Sequence, residues 1–189
     1  MRHSHRIISP LLICVIAASV TGCTNGSKNQ EEVMLPEISM VEARTTQNDE
    51  LRQIMTHVPD EIIVKNYGLV PQSRAMSCNW ADEKPMNPEE GIFLAGTARA
   101  DITAEADLLG VLSQIRVAYE SKPGWTVKPA EKASMLGTDE GVLLVSPENY
   151  TYHVDVSTET SSDGVKEFTA SSFSPCFQIP DDFDRFKEY

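Results

Sequence analysis

Four cysteines are the residues of this chain most open to chemistry, and each has its own setting. Cys14 lies inside an apolar run, Ile7 to Val20. Cys23 closes the run Val20-Thr21-Gly22-Cys23, directly behind it. Cys78 and Cys176 stand far apart in the rest of the chain. A thiol can be acylated, can oxidise to a bridge, or can bind metal or attack as the thiolate. Cys78 and Cys176 belong to no Cys-x-x-Cys pair and have no histidine at zinc spacing. In an exported chain two such cysteines read as one disulfide. The loop it closes is about 100 residues, which the chain-entropy model values at ~4–5 kcal/mol. The alternative is two free or metal-binding thiols.

The other ionisable residues give weaker signals. His3 and His5 lie in the basic N-terminus with Arg2 and Arg6. His57 ends an amphipathic segment, where an imidazolium would complement the helix dipole. His153 shares a strand face with Thr151 and Asp155. A Ser-His-Asp site needs a nucleophile on a sharp turn and oxyanion donors. The sequence holds no Gly-x-Ser-x-Gly, His-Glu-x-x-His, P-loop or Gly-x-Gly-x-x-Gly. Both histidines therefore read as capping or surface residues. Carboxylates pair at Asp82-Glu83, Glu89-Glu90, Asp139-Glu140 and Asp181-Asp182 with Asp184. None has the alternating oxygens and glycine of a calcium loop, and solvated loop charge is the simplest reading. No catalytic residue, metal ligand or cofactor is expected.

The N-terminus has the parts of an export signal: a basic start, then an apolar stretch. Ile7 to Val20 is shorter than the roughly 20 apolar residues of a membrane-spanning helix. Small residues at Thr21 and Gly22 admit a peptidase. The run Val20-Thr21-Gly22-Cys23 resembles the lipobox of bacterial lipoproteins. In that family the cysteine receives a diacylglyceryl thioether and becomes the first residue of the mature chain. The resemblance implies lipidation at Cys23 and an extracytoplasmic domain on a membrane anchor. Two acyl chains anchor stably, so no basic patch is needed. The alternative is an ordinary secretory signal.

Charge excludes one class of partner. The whole chain carries −12, and loss of the signal removes Arg2 and Arg6 but no acid, leaving −14. Nucleic acid and anionic headgroups repel such a surface. The acidity reads as a soluble, self-repelling surface, or else as a face for a basic partner or a divalent cation.

The elements that must position these residues follow from periodicity. Segments 1–22 and 23–36 read as signal and as lipidated cysteine with polar tether, 37–180 as the domain, and 181–189 as an acidic tail. Ser39 with Glu42 opens a helix over about 40–57, whose polar half, Arg44 to Glu50, is expected to be exposed. Strands are expected over 61–65, 74–80 and 92–102, the second placing Cys78 and Trp80 on one face. The small residues of the third, Gly96, Ala98 and Ala100, suggest a helix lying close above. A second helix starts at Thr103, with Glu105 in its first turn, and ends at Pro123-Gly124. A strand from 125, a hairpin of 141–146 with 150–157, and a strand over 165–177 complete the chain. Trp80, Trp125, Tyr119, Phe168 and Phe173 are expected in the core. Tyr150 and Tyr152 either pack or line a groove. The predicted class is α+β: a single antiparallel sheet with two helices on one face.

These features include a tether, a lone amphipathic helix, Cys78-Asn79-Trp80, a helix ending before Gly124-Trp125, and Ser174-Pro175-Cys176. In order and spacing they look like small actinobacterial cell-envelope lipoproteins, including the mycobacterial LppA-type group. That resemblance carries no activity. The expected function is a non-catalytic, membrane-anchored binding module for an envelope protein, lipid or glycan, without nucleic acid. The alternatives are a small-molecule or lipid carrier with a groove between sheet and helices, and a cell-wall hydrolase using unrecognised carboxylates.

Overall fold

Alternation of inward apolar and outward polar residues builds a six-stranded antiparallel sheet. The computed structural model describes residues 34–70, 75–79, 91–130, 140–181 and 183–184, all within the unit Met34–Tyr189. The strands are β1 (Ile63–Val70), β2 (Met76–Ser77), β3 (Ile92–Phe93), β4 (Ala95–Thr103), β5 (Thr126–Pro129), β6 (Glu140–Val145), β7 (Thr151–Val156) and β8 (Val165–Phe173). The large sheet runs β1-β4-β8-β7-β6-β5, and β2 pairs with β3 in a small second sheet. One row across the large sheet is Val142, Val154, Ala170 and Ala98, all fully buried. The next row, Leu143, His153, Ser171 and Thr97, points the other way and is half-buried.

Helices α1 (Met40–Met55) and α2 (Leu108–Glu120) both cover the first of these faces. Leu51 and Ile54 of α1 and Leu112, Ile115 and Tyr119 of α2 join Ala100, Ile102, Leu144, Tyr152 and Phe168 of the sheet in one apolar cluster. Burying each of the large side chains contributes about 1.5–3 kcal/mol. The expected α+β class, with its helices on one face, is what the structure has. Tyr119 and Phe168 are core residues, as predicted, and Trp125 packs against the core; of the two readings open for Tyr150 and Tyr152, both pack in it.

Several expectations need correction. Helix α1 begins as read, with Glu42 N–H donating to Ser39 Oγ at 3.1 Å. Its polar half is not simply exposed, however: Gln47 is fully buried, as is Ala43 just before that half. Gln47 donates to the Leu94 carbonyl at 2.9 Å, and Arg44 donates to Gln47 Oε1 and to the Ala95 carbonyl. Hydrogen bonding to the sheet backbone makes burial of these polar groups tolerable.

The 92–102 run keeps its alternation but changes sheet at Leu94. The Leu94 backbone is held by Ser174 on one side and by Gln47 on the other. Helix α2 is capped by Asp107, whose carboxylate accepts from Gly110 N–H at 2.9 Å, while Thr103 ends β4. The edge strand starts at Ile63 and extends to Val70. Of 74–80, only Met76–Ser77 is strand; Cys78 and Asn79 turn, and Arg74 and Trp80 lie outside the described residues. The last strand ends at Phe173, with Phe177 rejoining through a single bridge to Ile92. Phe173 stands on the helix-free face against Phe93 and His153, not in the core.

The expected close approach of a helix is present. A Cβ on Gly96 would sit 2.7 Å from Ser172 Oγ and 3.1 Å from Gln47. Gly96→Ala is therefore expected to cost about 1–3 kcal/mol by overpacking, read as a lower urea midpoint at unchanged slope. An unchanged midpoint would show that α1 has slack above β4.

Candidate functional site

Cys23 and the whole N-terminal segment lie outside the described residues. Cys78 and Cys176 are joined in a disulfide, with their Cα atoms 6.0 Å apart. The bridge ties the turn after β2 to the segment after β8, beside a small second cluster of Met40, Ala43, Ile92, Leu94 and Phe177. The alternative of free or metal-binding thiols is thereby set aside for this state of the chain.

A group of ionisable side chains lies between the C-terminal half of α1 and the end of α2. Glu50 accepts a hydrogen bond from the Tyr119 hydroxyl and another from Lys122 Nζ at 2.8 Å. Lys122 also lies over the rings of Tyr119 and Trp125, 4.2 and 4.9 Å from their centroids. The His57 ring is tilted against that of Tyr119. Acid, phenol and amine here satisfy one another, which is the arrangement of a clamp between helices. Burial, then the hydrogen bond to Glu50, pushes the Tyr119 hydroxyl far above its ordinary range. It stays a donor at any physiological pH.

The structure keeps the predicted candidates apart. His153 lies on the helix-free sheet face, edge-on to Phe173, whereas His57 follows α1 at the seam. The reading of His57 as an imidazolium on the helix dipole is corrected. Burial, and then the charge of Lys122, lower its pKa below the ordinary 6.5, with Glu50 opposing. Neutral imidazole is the form at neutral pH. Of the carboxylate pairs, Asp82-Glu83, Glu89-Glu90, Asp139 and Asp182 lie outside the described residues. Among the described residues no group of three or more His, Cys, Asp or Glu is placed to hold a metal, and no helix is long and apolar enough to cross a membrane.

A feature that sequence reasoning missed lies at the β1 edge. Strand β1 shifts register against β4 between Ile63 and Lys65, and again between Asn66 and Gly68. At the second shift Gly68 adopts φ +62°, and its N–H donates to Asn66 Oδ1 at 2.7 Å. Such bulges bend a strand and are frequent beside binding sites. Here the bulged strand and the end of α1 border a cleft of about 260 Å³. Met55, Ile63, Leu69 and Ala98 supply its apolar lining, and Arg52, Thr56, Asp60 and Asn66 its polar lining. The signal was present as Asn66-Tyr67-Gly68 within a β-branched run, since a glycine inside a strand pattern marks a bulge.

No protein-family model, curated protein or solved structure matches the chain.

The seam cluster sets a pH dependence. An unfolded chain protonates His57 near 6.5, and the folded chain does so only at lower pH. Below about 6.5 the unfolded state binds more protons, so stability falls as pH falls and is fully present above it. NMR titration should find the His57 pKa below 6.5, rising in Lys122→Met and falling further in Glu50→Gln. A His57 pKa indifferent to both variants would contradict this electrostatic account.

Proposed function

We propose that the chain is a lipid-anchored, extracytoplasmic binding module of the cell envelope. One observation carries the reading: the run Val20-Thr21-Gly22-Cys23 behind a basic, apolar N-terminal segment. The disulfide Cys78–Cys176 supports it, because such bridges persist in oxidising compartments outside the cytosol. The polar run from Thr24 to Glu32 suits a tether between lipid and domain.

Binding rather than catalysis is favoured by how the reactive groups are engaged. Glu50, Tyr119 and Lys122 bond to one another across the helix seam. Asp101 accepts from the Tyr67 hydroxyl, and Glu167 pairs with Arg99 at 3.0 Å. A carrier with a lipid-sized groove under the helices is less well supported, because Leu51, Ile54, Ile115 and Phe168 fill the middle of that seam. Both outer strands discourage pairing in the plane of the sheet: β1 is bulged, and β5 is short and ends in Pro129. Recognition is thus assigned to faces and clefts rather than to added strands.

Cys23→Ala should abolish membrane retention or processing, so that cell fractionation finds the unprocessed chain or a soluble one. If the variant matures normally and still sediments with membranes, the anchor assignment is wrong.

A further inference from the structure

The cleft between α1 and β1 has the size and charge pattern of a site for a small zwitterion with an apolar tail. We infer that it binds a free apolar α-amino acid, which deepens the binding-module reading above by giving that module a ligand class.

The cleft follows from how its walls are formed. The two register shifts in β1 bend the edge strand beside the end of α1, where the opposite sheet residue is the small Ala98. Gly68 keeps its neighbourhood open: nothing lies within 4 Å of where its Cβ would be. The Asn66 carboxamide fixes this geometry through the Gly68 N–H. Met55, Ile63 and Leu69 then offer an apolar surface to a side chain. At about 260 Å³ the volume falls below the roughly 300–1,000 Å³ of drug-sized sites. It suits one aliphatic side chain and its head group.

The polar lining specifies the head group. Arg52 uses one terminal nitrogen on Asp49, at 2.7 Å, and is well exposed. A guanidinium carries five N–H donors in a planar fork that matches a carboxylate. Asp60, exposed and followed in sequence by Glu61, lines the same cleft and carries the opposite charge. An ammonium is drawn to Asp60 and a carboxylate to Arg52, while the aliphatic tail covers Met55 and Leu69. A ligand with only one of the two charges leaves the other residue hydrated and gains nothing from it. The larger hollow, about 410 Å³ beside Glu37, Ser39, Gln178 and Asp181, lacks this pairing of opposite charges.

The test is saturation-transfer NMR on the full chain in detergent micelles, with L-leucine, 4-methylpentanoate, isoamylamine and a leucyl dipeptide as probes. Leucine methyl protons should receive saturation. The acid and the amine should bind roughly tenfold more weakly, the factor expected for loss of one charge-assisted hydrogen bond. Asp60→Asn should weaken leucine to the level of the acid, and Arg52→Gln to that of the amine. Both side chains are on the surface, and an unchanged melting curve confirms the fold. No transfer to leucine overturns the inference, as does equal transfer in the Arg52→Gln/Asp60→Asn double variant. Transfer to the dipeptide alone gives the cleft to an extended chain and also overturns it. None of these outcomes bears on membrane retention through Cys23, so the ligand and the anchor fail separately.

Discussion

Helix α1 reaches the sheet backbone because the residues beneath it are small. Gly96, Ala98 and Ala100 of β4 and Ala170 of β8 give it room, and Gln47 descends far enough to bond the Leu94 carbonyl. Much else in the domain depends on that close approach. It fixes the point where the 92–102 run leaves the small sheet and enters the large one. It brings Glu50 within reach of Tyr119 on α2 and of Lys122 just after it, so the two helices are tied to each other as well as to the sheet. It also sets the end of α1 beside the bulged β1, where the cleft opens. A larger residue at Gly96 would meet Ser172 and Gln47 first, and these side chains would have to give way.

The close approach also has a polar cost. Arg44 Nε and one of its terminal nitrogens, with Ser172 Oγ, are enclosed without hydrogen-bond partners among the described residues. Leaving such groups unsatisfied costs about 1–3 kcal/mol each. The apolar cluster under both helices and the disulfide beside the small cluster offset that cost. The bridge lies beside the smaller of the two apolar clusters, formed by Met40, Ala43, Ile92, Leu94 and Phe177. A covalent tie across a long loop acts mainly by restricting the unfolded chain.

Periodicity made the class and most elements legible. Alternation across Tyr150–Ser157 and Val165–Phe173, with turn residues between, reads directly as antiparallel strands. Ser39 is a cap in sequence and in space. The small residues of β4 announced a close helix without naming it. Other features lie beyond periodicity because they depend on tertiary partners. Alternation continues through Leu94 unbroken, so it cannot report a change of sheet. Gln47 and Arg44 look like surface residues until the Leu94 and Ala95 carbonyls are brought to them. Thr103 and Asp107 are both good caps by type, and pairing of Thr103 with Val165 removes it from the helix. Phe173 is aromatic and in a strand, but its place in the alternation puts it on the helix-free face, where His153 and Phe93 meet it. The cleft depends on two bulges, of which Gly68 marked one in the sequence, while the shift between Ile63 and Lys65 shows only in the pairing of β1 with β4.

The proposed membrane anchor rests on one thiol, Cys23. Intact-mass analysis of the protein extracted from membranes tests it most directly. The account predicts a mature chain that begins at Cys23 and carries a diacylglyceryl thioether on that residue. A mature chain that begins elsewhere, or an unmodified Cys23 at its start, would contradict it.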